Sequence, residues 1–261
     1  MAILSVNKLT KSFGGVNAVT NVNFKIGKGE LVGLIGPNGA GKTTVFNLLT
    51  GVYTPDNGSI LLDNGEQQKE LRGEKPYKIC KEGVSRTFQN IRLFKDLTVL
   101  DNVRIAMHQN VNYGLVSSFL HLPSYKREEK RLVEESLELL RIMELDQKKD
   151  ELARKLPYGQ QRRLEIARAL ATKPILLLLD EPAAGMNPAE TTQLTGLIQW
   201  IQDKFNLTIL LIEHDMSLVM KICRRIYVLD HGMLIAEGTP EEIKTNKQVI
   251  KAYLGEDVSN A

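Results

Sequence analysis

The residues best equipped for chemistry form one run, Gly36-Pro37-Asn38-Gly39-Ala40-Gly41-Lys42-Thr43-Thr44. A chain that wraps an anionic polyphosphate must turn several backbone N–H groups inward. Small residues let the backbone approach, and a helix start behind them adds a partial positive charge. Lys42 is placed to reach the outer phosphates of a nucleotide, and the Thr43 hydroxyl to take a position on Mg²⁺. A second cluster is the acidic pair Asp180-Glu181, directly after the apolar run Leu176-Leu177-Leu178-Leu179. Asp180 suits Mg²⁺, directly or through its water. Glu181 suits the orientation or deprotonation of a water attacking the terminal phosphate.

Both clusters sit where strands must end. Leu31-Val32-Gly33-Leu34-Ile35 precedes the glycine-rich run and a helical stretch, Val45 to Leu49, follows it, which is the strand–loop–helix context such a loop requires. Ile175 to Leu179 and Thr208 to Ile212 read as buried parallel strands because they are continuously apolar. Near the start, Ile3 to Val6 and Val22 to Ile26 alternate as half-buried strands, punctuated by Gly14-Gly15 and Gly27-Lys28-Gly29. Ser59 to Leu62 follows the turn Pro55-Asp56-Asn57-Gly58, residues 64–82 read as a surface connection with a short helix, and Asp230-His231-Gly232 joins two strands of a hairpin.

Residues 97–155 differ. Leu132, Val133, Leu137, Leu140 and Met143 make a helical stripe with no strand pattern nearby. The expected organisation is one α/β domain spanning 1–261, with residues 1–89 and 160–261 as its core and 90–159 as an inserted helical subdomain. Phe119, Leu120, Leu122 and Pro123, within Leu115 to Tyr125, read as a loop packed on its own subdomain or as an extra contact surface. A helix is expected over Gly159 to Ala171. Its Arg162 and Arg163 read as a solvated or partner-facing surface rather than a nucleic-acid patch. Asn187, with Pro188 after it and Glu190 three positions on, has the form of a helix cap.

The 261 residues hold 34 basic and 31 acidic side chains, a balance too even to argue for nucleic acid. Two distant cysteines, Cys80 and Cys223, form neither a disulfide framework nor a zinc pattern, which points to a reducing compartment. The first residues lack a signal-peptide core, and no apolar run is long enough to span a membrane.

Further segments carry a resemblance. Leu156-Pro157-Tyr158-Gly159-Gln160 resembles the signature motif of the ATP-binding-cassette (ABC) ATPases, usually Leu-Ser-Gly-Gly-Gln. Phe13 falls where that family stacks adenine, and Gln89 in Arg86-Thr87-Phe88-Gln89-Asn90 matches its Q-loop glutamine. Ala184-Gly185-Met186-Asn187 matches its D-loop, and His214 in Glu213-His214-Asp215 its switch histidine. The resemblance spans about residues 3–255. The run Arg86 to Phe94, the insertion around 108–128, Asp180 to Pro188 and the end from Gly238 to Gly255 narrow it. They look like the longer ATP-binding subunit of branched-chain amino-acid importers.

That resemblance implies a P-loop NTPase (RecA-like) α/β core with an N-terminal antiparallel β region, binding ATP with Mg²⁺. It implies Glu181, His214, Gln89 and Lys42 as catalytic residues and Thr43, Gln89 and Asp180 at the metal. It implies nucleotide contacts from Phe13, Gly36 to Thr44, Gln89 and Asp180, and from Pro157, Tyr158, Gly159 and Gln160 toward a partner's nucleotide. The implied partners are a second ABC ATPase subunit, in a heterodimer or else a homodimer, the transmembrane permease subunits and, indirectly, a solute-binding protein, but no nucleic acid. The implied location is peripheral, on the cytoplasmic face of a bacterial-type membrane. Alternatives are an ABC ATPase for urea, amides or lipopolysaccharide export, or a soluble ABC ATPase of DNA repair or translation. Three positions depart from the wider family: Pro157 stands for serine, Tyr158 for glycine and Asn187 for aspartate.

Overall fold

The computed structural model describes residues 2–111 and 123–254. The stretch Leu115 to Leu122, read above as a loop or contact surface, lies outside them. The chain divides into two compact units, one formed by residues up to Arg86 with those from Ile175 onward, the other by Thr87–Pro174.

In the first unit, β1 (Ala2–Phe13) and β2 (Val16–Gly27) form an antiparallel hairpin turning at Gly14-Gly15. With β4 (Asn57–Asp63) and β5 (Gln68–Glu70) they make a four-stranded antiparallel sheet ordered β2-β1-β4-β5. A six-stranded sheet follows the order β10-β9-β3-β8-β7-β6. Its members are β3 (Leu31–Ile35), β6 (Val84–Arg86), β7 (Leu176–Asp180), β8 (Thr208–Ile212), β9 (Arg225–Asp230) and β10 (Met233–Gly238). All neighbours in it are parallel except the edge pair β10–β9. Every residue of β3, β7 and β8 is buried, as continuous apolar runs in a covered parallel sheet must be.

The register aligns the strand ends. Asp180 of β7 pairs with Ile212 of β8, and Arg86 of β6 with Leu178 of β7. The carboxyl ends of β3, β6, β7 and β8 therefore lie along one edge, where open parallel sheets hold their ligands. Helix α1 (Lys42–Leu49) starts directly after the loop from β3, and the connection at 64–82 contains β5 and α2 (Pro76–Lys81).

The second unit is helical. Its helices α3 (Val99–Met107), α4 (Pro123–Ile142) and α5 (Tyr158–Ala171) pack on one another. On α4 the buried positions are Leu132, Ser136, Leu139 and Leu140, while Val133 and Leu137 lie at the margin. Ser136 takes an inner position because its hydroxyl contacts the Met107 sulfur at 3.4 Å. This unit is wider than the stretch 90–159 drawn from sequence. It begins just before Gln89 and keeps all of α5, since α5 packs against α3 and α4.

After β7 comes α6 (Pro188–Phe205), then α7 (Met216–Ile222), α8 (Pro240–Thr245) and α9 (Lys247–Leu254). Asn187 caps α6 as its sequence suggested. Its Oδ1 accepts from the Glu190 amide at 3.0 Å, and the Glu190 carboxylate accepts from the Asn187 amide at 3.0 Å. Asn187→Ala removes half of this reciprocal pair and is expected to cost about 1 kcal/mol in urea unfolding, while Asn187→Asp, which keeps an acceptor oxygen, should cost little.

Candidate functional site

The loop from Gly36 to Gly41 is shaped by two glycines. A side chain at Gly36 (φ 152°) would meet the Leu229 carbonyl at 2.0 Å, and one at Gly41 (φ 101°) the Ala18 carbonyl at 2.4 Å. No other residue fits at these points, and the loop is thereby held against β9 and β2. Lys42 folds back across it, donating from Nζ to the carbonyls of Gly36 at 2.7 Å and Pro37 at 2.9 Å. Burial pushes the Lys42 ammonium below its usual range, opposed by the carboxylates of Glu181 and Asp180. Thr43 is exposed at the start of α1, where its hydroxyl is open to a ligand.

Lys42→Ala leaves the loop backbone in place but removes the cation held by the Gly36 and Pro37 carbonyls. Nucleotide affinity is expected to fall by about 2 kcal/mol, roughly thirtyfold, the lower end of the cost of unpairing a desolvated charge. Equilibrium titration with a fluorescent ATP analogue reads this. Unchanged affinity with lost turnover would place Lys42 in the transition state alone.

Asp180 ends β7 and is buried. Its Oδ2 accepts from Arg86 Nη2 at 2.6 Å. Glu181, the next residue, has left-handed backbone (φ 45°), a costly conformation for a non-glycine. Its amide donates to the Ile212 carbonyl at 2.9 Å, which fixes the turn out of the strand. His214 follows β8, with Nδ1 3.6 Å from Glu181 Oε2 and 3.7 Å from Glu213 Oε2. The first unit therefore brings together the phosphate-type loop, Lys42, Asp180, Glu181 and His214.

Glu213 escaped the sequence reading. It is buried, and burial pushes its carboxyl above the usual range. It accepts backbone N–H bonds from Ala183 at 2.8 Å, His214 at 3.1 Å and Asp215 at 3.4 Å. It thereby ties the segment after Glu181 to the segment carrying His214.

Phe13 lies at the end of β1, 41% exposed, with its ring edge-on to Tyr53 at 5.0 Å. Asp56 steadies this end of β1, accepting from Lys11 Nζ at 2.7 Å and from the Ser12 amide at 2.8 Å. Those bonds hold its carboxyl below the usual range. Tyr53 was also missed from sequence, because a lone aromatic after a helix carries no periodic signal.

Gln89 and the segment Pro157-Tyr158-Gly159-Gln160 belong to the second unit. Pro157 is the residue before α5 and offers no side-chain cap, so the first-turn amides of the helix have none from that position. Tyr158 is exposed and Gln161 Nε2 donates to the Leu156 carbonyl at 2.8 Å. Arg162 corrects the expectation of a solvated or partner-facing side chain: it is fully buried. Its Nη1 donates to the Phe88 carbonyl at 2.6 Å and to Glu165 Oε2 at 2.7 Å, and its Nη2 to the Gln89 carbonyl at 2.7 Å. Glu165 in turn accepts from the amides of Phe88 at 3.4 Å and Arg92 at 3.2 Å. An arginine stays buried here because its charge is paired and its two terminal nitrogens meet carbonyls. Arg163 pairs with Glu144 at the surface.

The oxygen donors available, the Asp180 carboxylate and the Thr43 hydroxyl, suit Mg²⁺, a hard cation that takes few protein ligands beside phosphate oxygens and water. Among the described residues no cluster of three or more His, Cys, Asp or Glu forms a metal cage of its own.

Comparison with known proteins agrees with this geometry. The sequence profile described as "ABC transporter" matches residues 19–184, and one described as "Branched-chain amino acid ATP-binding cassette transporter" matches residues 233–259. The chain is 50% identical to the high-affinity branched-chain amino acid transport ATP-binding protein LivG of Escherichia coli, over 97% of this chain and 98% of that one. It is 48% identical to the corresponding protein BraF of Pseudomonas aeruginosa, over the same shares. It is 33% identical to the E. coli lipopolysaccharide export system ATP-binding protein LptB, over 98% and 99%. Among solved structures, the ADP conformation of MJ1267, an ATP-binding cassette of an ABC transporter, superposes with a TM-score of 0.83 at 30% identity, covering 98% of this chain and all of that one. A loop built for phosphate, an acidic pair and a histidine on one sheet edge, and a likeness along nearly the whole chain lead to one conclusion: the chain belongs to the ABC transporter family, as an ATP-binding cassette with ATPase activity.

Proposed function

We propose that the chain is the ATP-hydrolysing subunit of an importer of branched-chain amino acids. The observation that carries this reading is its end-to-end likeness to LivG and BraF at 48–50% identity, against 33% for the lipopolysaccharide-export protein. The separate match of residues 233–259 to a branched-chain amino-acid cassette profile supports it. Among the described residues no helix is long and apolar enough to cross a membrane. The solute path then belongs to permease subunits, with this chain held at their cytoplasmic face and a solute-binding protein delivering cargo.

In this reading ATP lies on the Gly36–Thr44 loop with adenine on Phe13 and Tyr53. Mg²⁺, when bound, offsets charge on the outer phosphates. Asp180 and Thr43 hold it. Lys42 binds the phosphates, Glu181 orients the attacking water and His214 steadies the terminal phosphate. A second ATP-binding subunit, different from this one, closes the site with its own signature segment. Pro157, Tyr158, Gly159 and Gln160 close the partner's site in return. Pro157 brings no hydroxyl to that closure, so the two sites of the heterodimer are inequivalent.

Permease docking falls to the segment from Asn90 to Val103. Phe94 and Leu97 are exposed there, while Asn102 is buried and fixes the Phe94 backbone through its amide and carbonyl. Phe94→Asp is expected to abolish co-purification with the permeases and uptake of labelled leucine in cells, while the isolated subunit keeps its ATPase activity. Full retention of the complex and of uptake would remove this segment from the interface.

A further inference from the structure

Arg86 is the last residue of β6, and its guanidinium is clamped on several sides. Nη2 donates to Asp180 Oδ2 at 2.6 Å, Nη1 donates to Asn47 Oδ1 at 2.7 Å, and Thr50 Oγ1 lies 3.4 Å from the same nitrogen. The guanidinium carbon stands 5.4 Å from the centre of the Phe46 ring. Both charged side chains are almost completely covered, at 6% and 4% exposure. A buried ion pair loses hydration on both sides and persists where its hydrogen bonds are well made. Here Phe46 and Asn47 of α1, with Thr50 at its end, hold the arginine, so its charge stays beside Asp180.

We propose that Arg86 is a positioning residue for nucleotide hydrolysis, a resident counter-charge that holds one oxygen of Asp180 and sets how strongly the site needs Mg²⁺. The proposal rests on the reading of Asp180 as the carboxylate serving Mg²⁺. With Oδ2 engaged by Arg86, chelation of a cation through both Asp180 oxygens is closed. The pair also offsets the Asp180 charge before nucleotide arrives. Mg²⁺ alone therefore gains little by entering, and the cation binds productively when phosphate oxygens supply the remaining ligands. Because Arg86 is anchored on α1, which begins at Lys42, the phosphate loop and Asp180 are held in register through one guanidinium.

The test uses the full chain and two variants, Arg86→Met, which keeps bulk without charge, and Arg86→Lys, which keeps charge without the fork. Thermal unfolding with and without millimolar MgCl₂, no nucleotide present, is the first readout. The ratio of affinities for a fluorescent ATP analogue in EDTA and in Mg²⁺ is the second. Wild type should show no thermal response to Mg²⁺ alone. Arg86→Met should gain one, and its Mg²⁺ dependence of nucleotide affinity should rise at least about tenfold, with Arg86→Lys between. A folded Arg86→Met whose responses to Mg²⁺ match wild type overturns the proposal. If Arg86→Met does not fold, the double variant Arg86→Met/Asp180→Asn should recover folding, because the unpaired buried charge is gone. A double variant no better than the single one overturns it as well. Wild-type chain that binds no nucleotide under any condition would instead defeat the underlying reading of the site.

Discussion

Glu181→Gln is expected to bind ATP as wild type does and to hydrolyse it roughly 10²–10⁴-fold more slowly. The amide conserves the shape of the side chain. It also leaves intact the backbone turn, which depends on the Glu181 amide reaching the Ile212 carbonyl at 2.9 Å and on the left-handed φ of 45°. What is lost is the negative charge and the capacity to take a proton from the attacking water. In rate terms the loss corresponds to about 3–5 kcal/mol of transition-state stabilisation. His214, with Nδ1 3.6 Å from the Glu181 carboxylate, keeps its place, so binding and hydrolysis should separate cleanly. On the proposed function, in which hydrolysis releases the paired subunits, the variant should also persist longer as an ATP-bound dimer. Single-turnover hydrolysis beside equilibrium binding measures both halves. Turnover near wild type would remove Glu181 from the reaction.

Arg162→Met is expected to destabilise the protein by about 3–5 kcal/mol, the cost of leaving Glu165 charged and buried without its partner. It also frees the carbonyls of Phe88 and Gln89 from the guanidinium that fixes them. Arg162→Met/Glu165→Leu should recover part of the loss, because the unpaired buried charge is gone while the Phe88 and Gln89 carbonyls and the Phe88 and Arg92 amides still lack these partners. Urea unfolding of the four proteins in that cycle gives the coupling directly. A single variant costing less than about 1 kcal/mol would mean that the buried pair is not a determinant of stability.

The contrast between these residues shows what a sequence discloses. The strand ends were legible because β3, β7 and β8 are continuous apolar runs, and the loop after β3 was legible because its glycines answer a backbone constraint. The cap at Asn187 was legible for the same reason: its partners lie within one helical turn. Arg162 was misread because polarity in sequence suggests solvent. Its burial depends on carbonyls 73 and 74 positions away, which no local pattern encodes. Arg86 and Asp180 are 94 positions apart and meet only through sheet register. Tyr53 and Glu213 were passed over because their partners come from other strands and loops. Helix α5 was assigned to the core on the return of an α/β pattern after residue 159, yet its packing partners are α3 and α4. Apolar periodicity fixes which face of an element is covered, but not which neighbour covers it.

The account rests on ATP hydrolysis by this chain driving the import of branched-chain amino acids. Its most direct test is uptake of labelled leucine, isoleucine and valine by cells in which the only copy of the chain is wild type or Glu181→Gln, with labelled amino acids of other classes as controls. Rapid uptake of the three branched-chain substrates is expected with wild type and its loss with Glu181→Gln, the controls being unaffected. Branched-chain uptake that continues unchanged with Glu181→Gln would contradict it.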